Sequence, residues 1–297
     1  DCTSLSAITI PDSVTSIGDY AFYGCTSLSE ITIPDGVTSI GDGTFSDCSS
    51  LTSITIPQNV TSIPDFAFSG CGKLSSVTVP NGLTAIGEYA FFNCASLTGL
   101  ELPWVVERIG RAAFSGCSAL TSIELPDQLT AIAQETFQNC SGLQTVTIQS
   151  HVASIGQYAF SGSGLENVNY TGSSEAWSLI SLSALGNEPL ASAKKVYNYR
   201  VPHTLVKVEA VAPTCWESGN IEYWSCSACG KVFADADGEQ EILLADTVLN
   251  PGHTLEAMGF LLNYLREAGR TEHNEQILAI IRRTLDFGWD REHDGIF

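Results

Sequence analysis

The chain has 297 residues, 44% of them hydrophobic, which is enough for a sizeable core in two or three domains and excludes disorder throughout. Its formal net charge of -20 excludes nucleic-acid backbones and anionic bilayers as natural partners, because each would be repelled. No apolar run approaches the roughly 18 residues that a membrane helix needs, and no basic-then-apolar leader opens the chain.

Asp1 stands in mid-repeat, so the natural amino terminus, with any export signal, is expected upstream. Cys2, Cys25, Cys48, Cys71, Cys94, Cys117 and Cys140 follow one another at intervals of 23 residues. Phe22, Phe45, Phe68, Phe91, Phe114, Phe137 and Phe160 keep the same interval, as do Leu5, Leu28, Leu51, Leu74, Leu97, Leu120 and Leu143. Three columns in one register are a structural period. Within a unit, Ile31-Thr32-Ile33 alternates as a short half-buried strand does, and Pro34 ends it. Val37 and Ile40 add inward positions, Gly41 supplies a turn, and the residues before each cysteine predict a short turn of helix. The predicted fold over 1–170 is therefore a leucine-rich-repeat solenoid, one strand and one short helical turn per 23-residue coil.

The cysteine column predicts free, buried thiols. Each side chain points the same inward way on successive coils, which suits a ladder of small hydrophobes better than disulfide geometry. The residue between the paired strand apolars points outward, giving Thr9, Thr32, Thr55, Thr78, Glu101, Glu124 and Thr147, with Ala7, Glu30, Ser53, Ser76, Gly99, Ser122 and Thr145 beside them. Thr32, Thr55, Thr78, Glu101 and Glu124 are the candidate ligand-binding face, since flat repeated strand faces are how solenoids present extended surfaces.

The unit C-x2-L-x2-I-x-I-P-x2-V-T-S-I-G-x3-F-x2-C resembles the BspA-like leucine-rich repeats of bacterial surface proteins. That resemblance implies an exported, non-catalytic binding or adhesion protein, found outside the cell or on its surface. Its partners would be host or matrix proteins or other cell-surface proteins. In the eighth register the cysteine becomes Ser163, and Val168-Asn169-Tyr170 changes the strand chemistry. The segment 171–200, with Trp177, Ile180, Asn187, Pro189, Leu190 and Tyr197-Asn198-Tyr199, is similar to the end cap of this family and predicts a cap on the open stack.

After Pro202 the composition shifts, and 201–249 is read as a small β-rich cysteine module. It resembles a short module found downstream of repeats in many bacterial surface proteins. Cys226-x2-Cys229-Gly-Lys has the shape of a zinc knuckle, with Cys215 as a third ligand and His203 or His253 as the fourth. A disulfide, Cys226–Cys229 or one containing Cys215, and plain thiols stay open as alternatives.

From Pro251 the period becomes helical: Leu255, Met258, Leu261, Leu262 and Leu265, then Ile277, Ile280, Ile281 and Leu285, which predicts two helices within 250–297. Asn250-Pro251-Gly252-His253-Thr254-Leu255-Glu256, and later Gly288-Trp289-Asp290, resemble an internal piece of the N-acylglucosamine 2-epimerase family. The resemblance implies a proton-transfer histidine at His253 with Glu256 one turn later, a carboxylate placed to orient the ring. The remaining barrel helices and a second catalytic histidine are missing here, so no catalysis is expected of this chain. A truncated sugar epimerase fused to a repeat arm is the alternative. Pro-His-Thr-Leu at Pro202 and Pro-Gly-His-Thr-Leu at Pro251 share a string at which two unrelated reading frames could have been joined.

Overall fold

A single 23-residue coil cannot hide its Leu, Ile and Phe side chains from water, and the repeat region meets this constraint by stacking coils in parallel. The computed structural model describes residues 2–199 and, beyond them, eight short strands given below. The chain divides into two units, Asp1–Val201 and Pro202–Phe297.

In the first unit two parallel ladders run along the stack. One pairs Ser53–Thr55 with Ser76–Thr78, and Ser122–Glu124 with Thr145–Ile148, Asn167–Tyr170 and Lys194–Val196. Its register steps by one repeat: Ile54 faces Val77, and Ile123 faces Val146. The other pairs Ser16–Ile17 with Ser39–Ile40, Ser62–Ile63 with Ala85–Ile86 and Arg108–Ile109, and Ala131–Ile132 with Ser154–Ile155 and Ser181–Leu182. In each short strand the Ile or Val points into the core while its neighbours are mostly exposed, the pattern that alternation along a strand requires.

The third side of each coil carries a ladder without strands. Phe22, Phe45, Phe68 and Phe91 donate their N–H to the carbonyls of Thr44, Ala67, Ala90 and Ala113 on the following coil, at 2.8 to 2.9 Å. The turn of helix expected before each cysteine is built as overlapping turns, with bonds such as Cys48 N–H to Phe45 O at 3.1 Å. Two left-handed columns interrupt it. The first holds Tyr20, Gly43, Phe66, Tyr89, Ala112, Glu135 and Tyr158, and the second Gly24, Asp47, Gly70, Asn93, Gly116, Asn139 and Gly162. A left-handed residue other than glycine costs on the order of 1 kcal/mol, and it persists here because neighbouring coils fix the backbone on both sides.

The core is made of the same columns seen in the sequence. The rings of Phe22, Phe45, Phe68, Phe91, Phe114, Phe137 and Phe160 form one continuous stack, with successive centroids 5.3 to 5.6 Å apart and planes within 20° of parallel. Offset stacks at this spacing add about 0.5–1.5 kcal/mol per pair beyond burial. Leu28 through Leu143 are buried beside them. Five interior thiols donate to carbonyls of the preceding coil: Cys48 to Phe22 O at 3.2 Å, Cys71 to Phe45 O at 3.1 Å, Cys94 to Phe68 O at 3.2 Å, Cys117 to Phe91 O at 3.2 Å and Cys140 to Phe114 O at 3.0 Å. Those carbonyls also accept the cysteine N–H of their own coil, so the thiol ties one coil to the next at a group already in use.

Beyond the last phenylalanine the chain continues through the segment 171–200. Phe160 has no further coil to receive its N–H, and the buried Asn187 side chain replaces it: Oδ1 accepts Phe160 N–H at 3.1 Å while Nδ2 donates to Gly156 O and Ser183 O, both at 2.8 Å. Short helices occupy Ser174–Ser178 and Glu188–Ser192, and Lys195 Nζ gives its protons to the carbonyls of Leu190, Ala191 and Ala193 at 2.7 to 2.9 Å. Tyr170 is buried against Trp177 and Tyr197, edge to face.

In the second unit Leu205–Val208, Tyr223–Cys226, Val232–Phe233 and Glu241–Ile242 form an antiparallel sheet in that order. Gly219–Asn220 pairs with Val248–Leu249, and Trp289–Asp290 with Gly295–Ile296. The two expected helices lie outside the described residues.

Ser163 tests the thiol ladder. It occupies the cysteine column, and its buried Oγ makes no hydrogen bond, where a longer thiol would reach Phe137 O as Cys140 reaches Phe114 O. Ser163→Cys should raise stability by about 1 kcal/mol in urea unfolding; a variant no more stable than the parent would show that the thiol–carbonyl bonds contribute nothing.

Candidate binding faces

The strand side of the solenoid carries the polar columns. Thr9, Thr32, Thr55, Thr78, Glu101 and Glu124 are all exposed, and Ile33, Ile56 and Leu125, the apolar residues that follow Thr32, Thr55 and Glu124, are buried. Thr55 and Thr78 face each other in register, and Thr9 and Thr32 form an isolated bridge. Adjacent strands lie about 4.8 Å apart, so the column presents hydroxyls and carboxylates at a fixed pitch. Ala7, Glu30, Ser53, Ser76, Gly99 and Ser122 flank it and are exposed as well.

Two members depart from the simple pattern. Thr147 is buried, because the following strand brings Asn169 Nδ2 to 3.5 Å from its Oγ1. Glu101 sits on a stretch, 99–102, that forms no strand. Gly99 stands there in place of the usual Ser, and glycine weakens a strand interior. The face is thus a hydroxyl ladder through the early coils and carboxylate-bearing at Glu101 and Glu124.

The interior thiols are chemically quiet. Among the described cysteines none is in a disulfide, Cys2 is exposed, and Cys25 through Cys140 are buried. Burial pushes the Cys48 and Cys140 thiols up to about 12 and moves Cys71, Cys94 and Cys117 up as well. A thiolate, the reactive form, is therefore held out of reach. No group of three or more metal-binding side chains occurs among the described residues. The expected zinc ligands His203, Cys215 and Cys229 and the alternative His253 lie outside the described residues, as does Glu256; of Cys226 only the backbone is described. No helix among the described residues is long and apolar enough to cross a membrane.

The left-handed positions escaped the sequence reading, yet a signal was present. One column reads Gly24, Asp47, Gly70, Asn93, Gly116, Asn139, Gly162, the residue types that tolerate positive φ best.

The repeat region matches the family described as the BspA type leucine rich repeat region in 6 copies, over residues 1–119 and 61–185. No curated protein matches the chain. Among solved structures, a leucine-rich repeat protein of T. pallidum is 30% identical over 53% of this chain and 76% of its own, with a TM-score of 0.49. One from Bacteroides ovatus is 27% identical over 66% of this chain and 64% of its own, with a TM-score of 0.48. A leucine-rich cell surface protein of Faecalibacterium prausnitzii is 26% identical over 59% of this chain and 82% of its own, with a TM-score of 0.25.

The titration of the thiols has a measurable consequence. An unfolded thiol loses its proton near pH 9.0, whereas Cys48 and Cys140 hold theirs to about 12. Their contribution to stability is fully present below pH 9.0 and is lost as the pH rises from there through about 12. The urea midpoint should accordingly fall steadily above pH 9.0. In the native protein, alkylation mapped by mass spectrometry should mark Cys2 and spare Cys25 through Cys140; rapid labelling of Cys94 or Cys117 without unfolding would contradict the sealed core.

Proposed function

Because the chain belongs to the BspA type leucine-rich repeat family, we propose that it is a non-catalytic protein-binding scaffold of a bacterial cell surface, acting in adhesion. It grips an extended partner, a host or matrix protein or another surface protein, along the exposed column from Thr32 to Glu124. The observation that carries this is the register of that column: polar groups of neighbouring coils stand exposed at one repeat interval on a rigid support. A partner strand or loop laid across the coils meets hydroxyl donors and acceptors first and carboxylates at Glu101 and Glu124. Preorganisation of this kind lowers the ordering cost of binding. The net charge of -20 favours partners with basic surface and speeds their encounter.

The experiment is charge reversal at the carboxylate end. Glu101→Lys with Glu124→Lys should weaken retention of the protein on an immobilised extracellular-matrix preparation by about tenfold, with the thermal midpoint little changed because both residues are exposed. Equal retention would remove this face from the account, and turnover of N-acylated hexosamines by the chain would overturn its non-catalytic part.

A further inference from the structure

The turn side of the solenoid carries a second surface that the strand-face proposal does not use. The left-handed column Tyr20, Gly43, Phe66, Tyr89, Ala112, Glu135, Tyr158 holds φ between 52° and 60° at every member. Glycine meets this geometry without strain, and Gly43 shows that the fold accepts it there. Four of the seven positions nevertheless carry aromatic side chains, and three of these are well exposed: Tyr20 at 56%, Phe66 at 40% and Tyr158 at 37%. Large rings kept in water at backbone positions that disfavour them point to a use other than packing.

The rings form an organised ridge in the first coils. Phe66 and Tyr89 stack at 5.0 Å with planes 3° apart, Tyr23 meets Tyr20 edge to face at 6.0 Å, and Phe92 meets Tyr89 likewise at 5.6 Å. The Tyr20 ring leans over Gly43, where an added Cβ would overlap it. Directly before the column lie Asp19, Asp42, Asp65 and Glu88, replaced by Arg111, Gln134 and Gln157 in the later coils. Three of these carboxylates are fixed in place: Asp19 Oδ1 accepts Asp42 N–H at 2.9 Å, Asp42 Oδ1 accepts Asp65 N–H at 3.2 Å, and Asp65 Oδ1 accepts Glu88 N–H at 2.7 Å. Lys73 is the sole basic residue before Arg108, so this half of the solenoid is acidic with almost no cation of its own.

At the end of the ridge the molecule supplies a cation to an aromatic ring itself. The Arg111 guanidinium lies 5.8 Å from the Tyr89 ring centroid and forks onto the Glu135 carboxylate, Nε at 3.1 Å and Nη2 at 2.9 Å. Ring face and carboxylate together hold one cationic side chain, and the same two kinds of group recur from Tyr20 to Phe66 with no cation at the ridge positions.

We propose that the ridge from Tyr20 to Tyr89 docks a lysine- or arginine-rich segment of a partner protein, whose cationic side chains lie against the exposed rings and pair with the carboxylates of Asp19 to Glu88. The rings supply the contact that neutral or acidic segments cannot use, and the uncompensated charge of the early coils steers the basic segment toward it. The proposal is independent of the strand-face reading, since the two surfaces share no residue.

The test uses the full chain and a lysine–glycine repeat peptide in titration calorimetry at low salt, with a serine–glycine repeat peptide as the neutral control. Tyr20→Gly with Phe66→Gly removes two rings, keeps the charge constant and relieves left-handed strain, so the fold should survive, as circular dichroism would verify. The parent should bind the basic peptide saturably and the serine–glycine peptide not at all. The double glycine variant should bind about tenfold more weakly. Three results would each overturn the proposal: no saturable binding by the parent, equal binding of the neutral peptide, or a glycine variant that binds as the parent does, which would reduce the effect to general charge attraction. Binding of a neutral oligosaccharide on these rings in place of the basic peptide would do the same.

Discussion

Every coil of this solenoid has two open sides, and the molecule exists because each side is closed by the next coil. Backbone N–H and C=O groups that a lone coil would leave unpaired are satisfied across the repeat interval, on two strand ladders and on a ladder of turns. The Phe stack and the thiol-to-carbonyl bonds lie along the same direction. Hydrogen bonding and apolar burial therefore demand one and the same spacing, and a shift of a single residue would break both at once.

Function follows from this lateral closure. The outward residues of neighbouring coils are held at a constant pitch, so the surface is organised in columns. The strand side gives a polar column from Thr9 to Glu124, and the turn side gives exposed rings beside carboxylates in the first coils. Closure also has to stop somewhere. At Phe160 the work of a whole coil's carbonyl is taken over by one amide, Asn187, which accepts the last phenylalanine N–H and donates to two carbonyls of its surroundings. Such a substitution lets the stack end without leaving a buried donor unpaired.

Much of this was legible in the sequence for a physical reason. Columns of Phe, Leu and Cys at one interval can share a core only if successive coils superpose, so the solenoid and its buried thiols followed from spacing alone. The exposed face was legible as far as alternation along Ile-x-Ile holds, and it failed at Thr147, where burial depends on Asn169 from the next strand rather than on local pattern. Periodicity marks a column but not its backbone handedness. The left-handed turns and the aromatic ridge they carry therefore came only with the structure, although the Gly24 to Gly162 column held the clue. The role of Asn187 was out of reach as well: its partner Phe160 is 27 residues away, outside the repeat register.

Hydrogen exchange at the phenylalanine amides tests the central claim most directly, because the N–H groups of Phe45, Phe68, Phe91 and Phe114 are bonded to the following coil and to nothing within their own. Lateral closure predicts that all four exchange slowly and with closely similar opening free energies, as parts of one cooperative stack. Exchange of the Phe68 and Phe91 amides at the rate of an unprotected chain would contradict it, since those coils have neighbours on both sides.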